Sequence, residues 1–287
     1  MTRRFRMVDI LYILMMILPV GFGIALKVLT TPPSEGITIT GARIFFEIPM
    51  PVQNLPVTES QINSVIVIVS ALFLCLYLTH GIKDGVWLKR HHLAELIVEK
   101  STSLVVDNMG EYFRSFAPFI AAILGLSGFS SLITLLGLYA PTSDINIIAG
   151  WAILVFILIT YYKMKCGPIE YAKSFANPVL MAPLNIIGEV ATPVSMAFRH
   201  YGNVLSGSVI SVLIAAGLSG LSNLIFGSFT EFPFLQIGLP AILSIYFDIF
   251  SGVLQAYIFA MLTMMYISGG FPLELYMERK KKKTQKV

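Results

Sequence analysis

One guanidinium, that of Arg199, falls in the middle of the apolar run from Leu180 to Phe226, where the only other possible charges are Glu189 and, if protonated, His200. Arginine cannot shed its proton to avoid a dry environment. At bilayer depth it costs about 2.5–3.5 kcal/mol on insertion scales, so it is kept where it meets an acid or a wet cavity. The chemistry such a residue offers is control of ion movement. Ser195, Arg199, Gly202 or Asn203, and Ser206 follow at three- and four-residue steps and form one polar, small-residue stripe on a helix. Asp248, Ser251 or Gly252, Gln255, Thr263 and Tyr266 form a similar stripe on the next apolar run. Interhelical hydrogen bonding explains serine and threonine in lipid, but it does not explain Arg199 and Asp248 together. Glu189 precedes Arg199 by ten residues, about 15 Å along a helix and on another face, so the two do not pair directly. Two partners for Arg199 stand open: Asp248, which would close an internal salt bridge, or an acid on another polypeptide, leaving Asp248 as a wet acid that hands protons inward.

These residues must be positioned by membrane helices. Of 287 residues, 56% are hydrophobic and 13% charged, which reads as a polytopic membrane protein with no soluble domain left over. Runs long enough to span a bilayer extend from Met7 to Leu26, Ile62 to Thr79, Phe116 to Leu138, Ile145 to Tyr162, Leu180 to Phe226 and Phe234 to Gly270. The chain therefore divides into an N-terminal span (1–29), an outer Pro-rich loop (30–61), an ion-translocating membrane domain (62–275) and a basic tail (276–287). Lys and Arg collect at Arg3 to Arg6, Lys83 to Arg114, Lys163 to Lys173 and Arg279 to Lys286, against only Lys27 and Arg43 on the other side. Both termini are thus expected in the cytoplasm, with the protein multi-pass in the cell membrane. The first run resembles a secretory signal but is long for one and lacks a small-x-small cleavage site, so it reads as a retained span. Cys75 and Cys166 fall at different depths and are not expected to pair.

The loop 30–61 carries Pro32, Pro33, Pro49, Pro51 and Pro56, which predicts extended chain with at most a short hairpin. Leu93, Leu96, Ile97, Leu104 and Val105 lie opposite Glu95, Glu99 and Asp107, an amphipathic helix expected on the cytoplasmic face. His91 and His92 within it read as a solvated pair. Gly125, Gly128 and Gly137, with Ser127, Ser130 and Ser131, are read as close-packing residues. Asp144 or Ser143 can cap the fourth span, and an acid there could also draw cations inward. The last two runs, about 47 and 37 residues, exceed the bilayer thickness and have no polar loop beside Pro193 or Pro240; they are expected to tilt strongly rather than break. The fold class is all-α polytopic membrane protein, with six membrane segments and one interfacial amphipathic helix.

Four segments in register carry a family resemblance: Pro183 to Glu189 (Pro-Leu-Asn-Ile-Ile-Gly-Glu), Arg199-His200-Tyr201-Gly202-Asn203 with Gly207, Gln255 to Phe259 followed by Leu262-Thr263 and Tyr266, and Pro141 to Asn146. Together they resemble subunit a of the F-type ATP synthase, over roughly Ile48 to Gly269. The resemblance implies a stator facing a rotating c-subunit ring and held with the b-subunit stalk and the rest of the F1Fo complex. Two tilted helices and two offset half-channels would carry H⁺ or Na⁺, coupling its flow to ATP synthesis or hydrolysis. Arg199 takes the place of the essential arginine, Asn203 and Gln255 those of its polar companions. Asp248 stands where relatives carry an acid or histidine serving the outer half-channel. Glu189, Ser208, Asp144, Asn146, Tyr266 and His200 complete the expected ion pathway.

Three features depart from the family pattern. Ser208 replaces a common acid, so ion loading would lean on Asp248 and Glu189. His200 replaces the usual leucine. The third span lacks a clear Ser-Asn-Leu signature. No cofactor, metal or nucleic acid is implied, and no Gly-x-x-x-x-Gly-Lys nucleotide loop is present. The subunit would not be an enzyme by itself. A secondary transporter or channel acting without a rotor should instead show broken helices or an internal repeat. An intramembrane hydrolase would need a second acid for Asp248 or a triad around His200.

Overall fold

The computed structural model describes residues 3–30, 41–51, 53–82, 88–168, 171, 175, 182–226, 238, 242–243, 245–271 and 276–277. The side chains of residues 3–6, Cys166, Asn223, Phe226 and Asp248 lie outside that description, as does the basic run Arg279 to Lys286. Among the described residues six helices are long and apolar enough to cross a membrane: Met7–Thr30, Glu59–Thr79, Glu111–Leu136, Ile145–Lys165, Ala182–Ser222 and Ile245–Gly269. The protein is an all-α polytopic membrane protein.

Helix α1 (Arg3–Thr30) packs along α2 (Glu59–Thr79). Between them a hairpin pairs β1 (Ile44–Ile48) antiparallel to β2 (Leu55–Thr58), and the Glu59 N–H donates to the Arg43 carbonyl at 2.8 Å, joining hairpin to helix. Polar clamps pin both ends of α1. Asp9 accepts from Arg90 at 2.8 Å and lies 2.9 Å from His80 Nδ1; at the far end the Lys27 ammonium donates to the Gly137 carbonyl. Asp9 is 7% exposed although it sits in an apolar run, and a buried acid keeps its charge only with such partners. Reading the run as an uninterrupted hydrophobic span missed it.

Helix α3 (Lys89–Met109) ends at Gly110, whose φ of 86° only glycine adopts without strain. The chain then turns into α4 (Ala117–Leu132). The apolar residues of α3 serve two surfaces. Val105 and Met109 are buried, while Leu93, Leu96 and Ile97 are about half exposed on the chain's own surface. Its C-terminal half docks on α4, and its N-terminal half offers an apolar face outward, as an interfacial amphipathic helix does. The reading of His91 needs correction: it is buried, with Nε2 3.0 Å from the His80 carbonyl, while His92 alone of the pair is exposed.

Helix α5 (Ile145–Cys166) starts where Asp144 Oδ1 accepts the Asn146 N–H at 3.0 Å, satisfying a free first-turn donor. Helix α6 (Ala182–Phe226) runs 45 residues without ending at Pro193, about 68 Å at 1.5 Å per residue. The sixth span opens as a π-helix over Ile245–Ser251 and continues as α7 (Gly252–Gly269). That opening changes the spacing argument: a π-helix closes i to i+5 bonds, so the α-helical spacing that set Asp248 and Gln255 on one face does not hold across residues 245–251. Residues 227–237, within the expected loop and span start, lie outside the described ones.

The main core gathers Val105, Phe113, Ile120, Val155, Ile159, Met196, Phe259, Met264 and Ile267 from α3 through α7. A close approach of α4 and α7 involves a different glycine from those expected. Gly125 and Gly128 have open space around them, whereas a Cβ on Gly252 would lie 2.5 Å from Ser131 Cβ. Ser127, Ser130 and Ser131 are all buried. Periodicity shows which residues are small but not which helix comes near them.

Candidate functional site

Helices α6 and α7 run past each other in a register set by two contacts. Asn203 Nδ2 donates to Ser251 Oγ at 2.8 Å, and Gly207 lies against the Phe247 ring, where a Cβ would stand 3.0 Å from it. Each contact pairs residues whose numbers sum alike, so four residues back along α6 Arg199 stands level with Gln255. Gln255 is 4% exposed, buried against the bundle. Arg199 is exposed and makes no hydrogen bond or ion pair among the described residues. Ser195, Gly202 and Ser206 are exposed with it. The predicted stripe is therefore a strip of small side chains with one fixed positive charge, left uncovered by the described helices. In the 18-residue apolar window of this span only 6% of the residues are buried.

Of the predicted site residues, His200 is the one drawn away from this strip. It is fully buried, with Nε2 3.3 Å from Ser127 Oγ and its ring edge-on to Trp151 and Phe259. Adjacent residues on a helix point about 100° apart, so His200 packs inward while Arg199 faces out. It is a core residue in this chain.

Ser208 is exposed and donates to the Leu205 carbonyl at 2.8 Å. With Ser131, Thr134, Phe247 and Ser251 it borders a cavity of 20 Å³, enough for about one water. The backbone of Asp248 belongs to the π-helix beside this cavity, and its side chain lies outside the described residues. In the α6–α7 register Asp248 is level with Ser206, about 10 Å along the axis from Arg199.

Two further polar clusters flank the strip. At one end Asp144 accepts from Ser60 Oγ and from both the backbone and side-chain nitrogens of Asn146, at 3.0 and 3.1 Å. Glu59 is 6% exposed there, and its Oε1 has no hydrogen-bond partner among the described residues. Burial pushes the Tyr139 phenol up, and the neighbouring Asp144, Tyr201 and Glu59 add to the shift, so Tyr139 remains a neutral donor. Sequence reasoning missed Glu59, which falls within the segment 30–61 read as outer loop, whereas it stands in the first turn of α2. At the other end Lys163 Nζ lies 2.7 and 2.8 Å from the two carboxylate oxygens of Glu189. Tyr171 donates to the same carboxylate at 3.3 Å, and burial followed by that negative charge pushes its phenol up. Tyr266, 37% exposed, borders a 40 Å³ chamber with Lys163, Glu189 and Thr192. Lys163 was legible only as an orientation charge. Among the described residues no three His, Cys, Asp or Glu side chains gather as they would around a metal.

Three polar zones thus stand out, around Asp144, around Arg199 and around Glu189. Residues 62–268 match the family model of the ATP synthase A chain. The chain belongs to that family. It is 31% identical over 228 residues to the ATP synthase subunit a of Trichlorobacter lovleyi, an alignment covering 75% of this chain and 90% of that one. It is 33% identical over 181 residues to ATP synthase subunit a 1 of Pelobacter propionicus, covering 61% and 71%. Over 184 residues it is 33% identical to subunit a of Nitratidesulfovibrio vulgaris, covering 62% and 71%. As an ATP synthase A chain it is the ion-translocating membrane component of the F1Fo complex and not an enzyme by itself. The family match starts at Ile62, so α1, the hairpin and Glu59 lie before it, while Arg199, Gln255 and the Glu189 cluster lie within it.

Proposed function

We propose that this subunit guides ions through two offset half-channels that meet at Arg199, where a carboxylate carried on a rotating c-subunit ring passes along the exposed strip of α6. The observation that carries this reading is the exposed guanidinium among Ser195, Gly202 and Ser206, which has no partner among the described residues. Small side chains allow another helix to come close, and an uncompensated charge in lipid calls for a counter-charge. A charge pair at 4 Å contributes about 4 kcal/mol at an effective dielectric near 20, or roughly three units of carboxylate pKa. Arg199 thus holds the passing carboxylate ionised, so it unloads on one side and reloads from the other. Without it, ions would leak between half-channels with no rotation.

Asp248, with Ser208 and the water-sized cavity beside it, serves the outer half-channel, and Asp144 and Asn146 gather cations at its mouth. Glu189 and Tyr266 serve the cytoplasmic half-channel, with Asn203 and Gln255 setting the register of the two helices at the gate. The Lys and Arg distribution puts both termini in the cytoplasm, and the length of α6 requires it to lie strongly tilted. Each ion crossing 100 mV releases about 2.3 kcal/mol, delivered as torque while the b-subunit stalk holds this chain still. The ion is H⁺, or Na⁺ where the ring carboxylate selects it.

Disulfide crosslinking tests this. In assembled membranes, Ser206→Cys should crosslink to a cysteine on the outer helix of the c subunit, and Leu72→Cys on α2 should not. A ring that crosslinks only to α2, or solute uptake by the purified chain alone in liposomes, would point to a transporter or channel without a rotor.

A further inference from the structure

The Glu189 carboxylate is not a free acid waiting for an ion. Lys163, from the end of α5, holds both its oxygens at 2.7 and 2.8 Å, and Tyr171 adds a third donor. The pair is largely shielded, with side-chain exposures of 24% and 19%. Lys163 is itself held in place: a Cβ on Gly270 would lie 2.8 Å from its Cε and 3.1 Å from its Cγ, so the lysine stem fills the room that the glycine leaves. Below the pair lies the 40 Å³ chamber shared with Thr192 and Tyr266, large enough for about one water. Thr192, Ser195 and Arg199 then follow at three- and four-residue steps. Pro193 has no N–H to give the Glu189 carbonyl four residues back, so the helix ladder offers a spare acceptor at this level.

We propose that Lys163 is a positioning residue of the cytoplasmic exit, clasping the Glu189 carboxylate over a one-water chamber so that ions released beside Arg199 leave through that chamber. This rests on the reading that Glu189 belongs to the exit path. The lysine supplies a fixed geometry: with it in place the carboxylate faces the chamber, and without it the carboxylate turns to bulk solvent and the chamber loses its acceptor. Because the two side chains act as a unit, their losses must not multiply.

The test uses the whole F1Fo complex in membrane vesicles, with assembly checked by recovery of the complex. ATP-driven ion pumping should fall about ten-fold in Lys163→Gln and in Glu189→Gln, and the double variant should be no worse than either single. Lys163→Arg, which keeps the charge and the reach, should recover most of the rate. Should Lys163→Gln fail to assemble, Gly270→Ala displaces the lysine stem without removing its charge and should lower pumping about two- to three-fold. Wild-type pumping in Lys163→Gln or Gly270→Ala, losses that multiply in the double variant, or no recovery with arginine would overturn the proposal while leaving Glu189 in the path. Wild-type pumping in Glu189→Gln would remove Glu189 itself, and with it the reading on which Lys163 depends.

Discussion

Asn203 on α6 donates a 2.8 Å hydrogen bond to Ser251, the last residue of the π-helical turn that leads into α7. This one contact brings Arg199 level with Gln255 and sets Asp248 about 10 Å away along the axis. In the proposed function, a gate at Arg199 and a loading acid at Asp248 separated in this way would not act on the same carboxylate at once, as two offset half-channels require.

Arg199→Lys should insert and assemble normally yet abolish ion-driven ATP synthesis. An ammonium keeps the charge but loses the planar fork and can give up its proton when desolvated. Synthesis measured in energised vesicles, with complex recovery as the control, checks this; normal synthesis would remove Arg199 as the gate.

Asp248→Asn should slow ion transfer several-fold without uncoupling it, since it acts before the gate and not at it. Proton pumping measured across a range of pH would show a lower plateau. A rate equal to wild type at every pH would take Asp248 out of the path and leave loading to the Ser208 cavity and the Glu59–Asp144 cluster.

Gly252→Ala should cost about 1–3 kcal/mol by overpacking, because its Cβ would fall 2.5 Å from Ser131 Cβ. Less complex should be recovered, and Ser131→Gly in the same chain should restore it. Equal yields for all three chains would mean that α4 and α7 do not approach this closely.

Asp9→Ala should loosen α1 from α2 and α3. Asp9 and Arg90 side chains are 11% and 10% exposed, and breaking a buried pair from one side costs about 3–5 kcal/mol. Limited proteolysis should then cut the segment between α1 and α2 faster, with the ATPase-linked pumping of intact complexes retained. Unchanged cleavage would make the pair dispensable.

Apolar patterning alone was enough to find the six spans and to single out Arg199. Apolar length and the cost of a guanidinium in lipid are local quantities that need no neighbour to be known. Residue spacing also joined Ser195, Arg199, Gly202 and Ser206 on one face, since α6 keeps a regular helical period from Ala182 to Phe226. The same reasoning failed where the period changed, in the π-turn before Gly252, and where partners came from distant segments. Nothing local distinguishes Lys163 from an orientation charge, Asp9 from a helix-end acid, or His200 from a titrating neighbour of the arginine. Tertiary structure alone brought Lys163 to Glu189, closed Arg90 and His80 on Asp9, and turned His200 into the core while leaving Arg199 outside. A charge is inexpensive or costly only according to what surrounds it, and those surroundings are assembled from residues tens of positions apart.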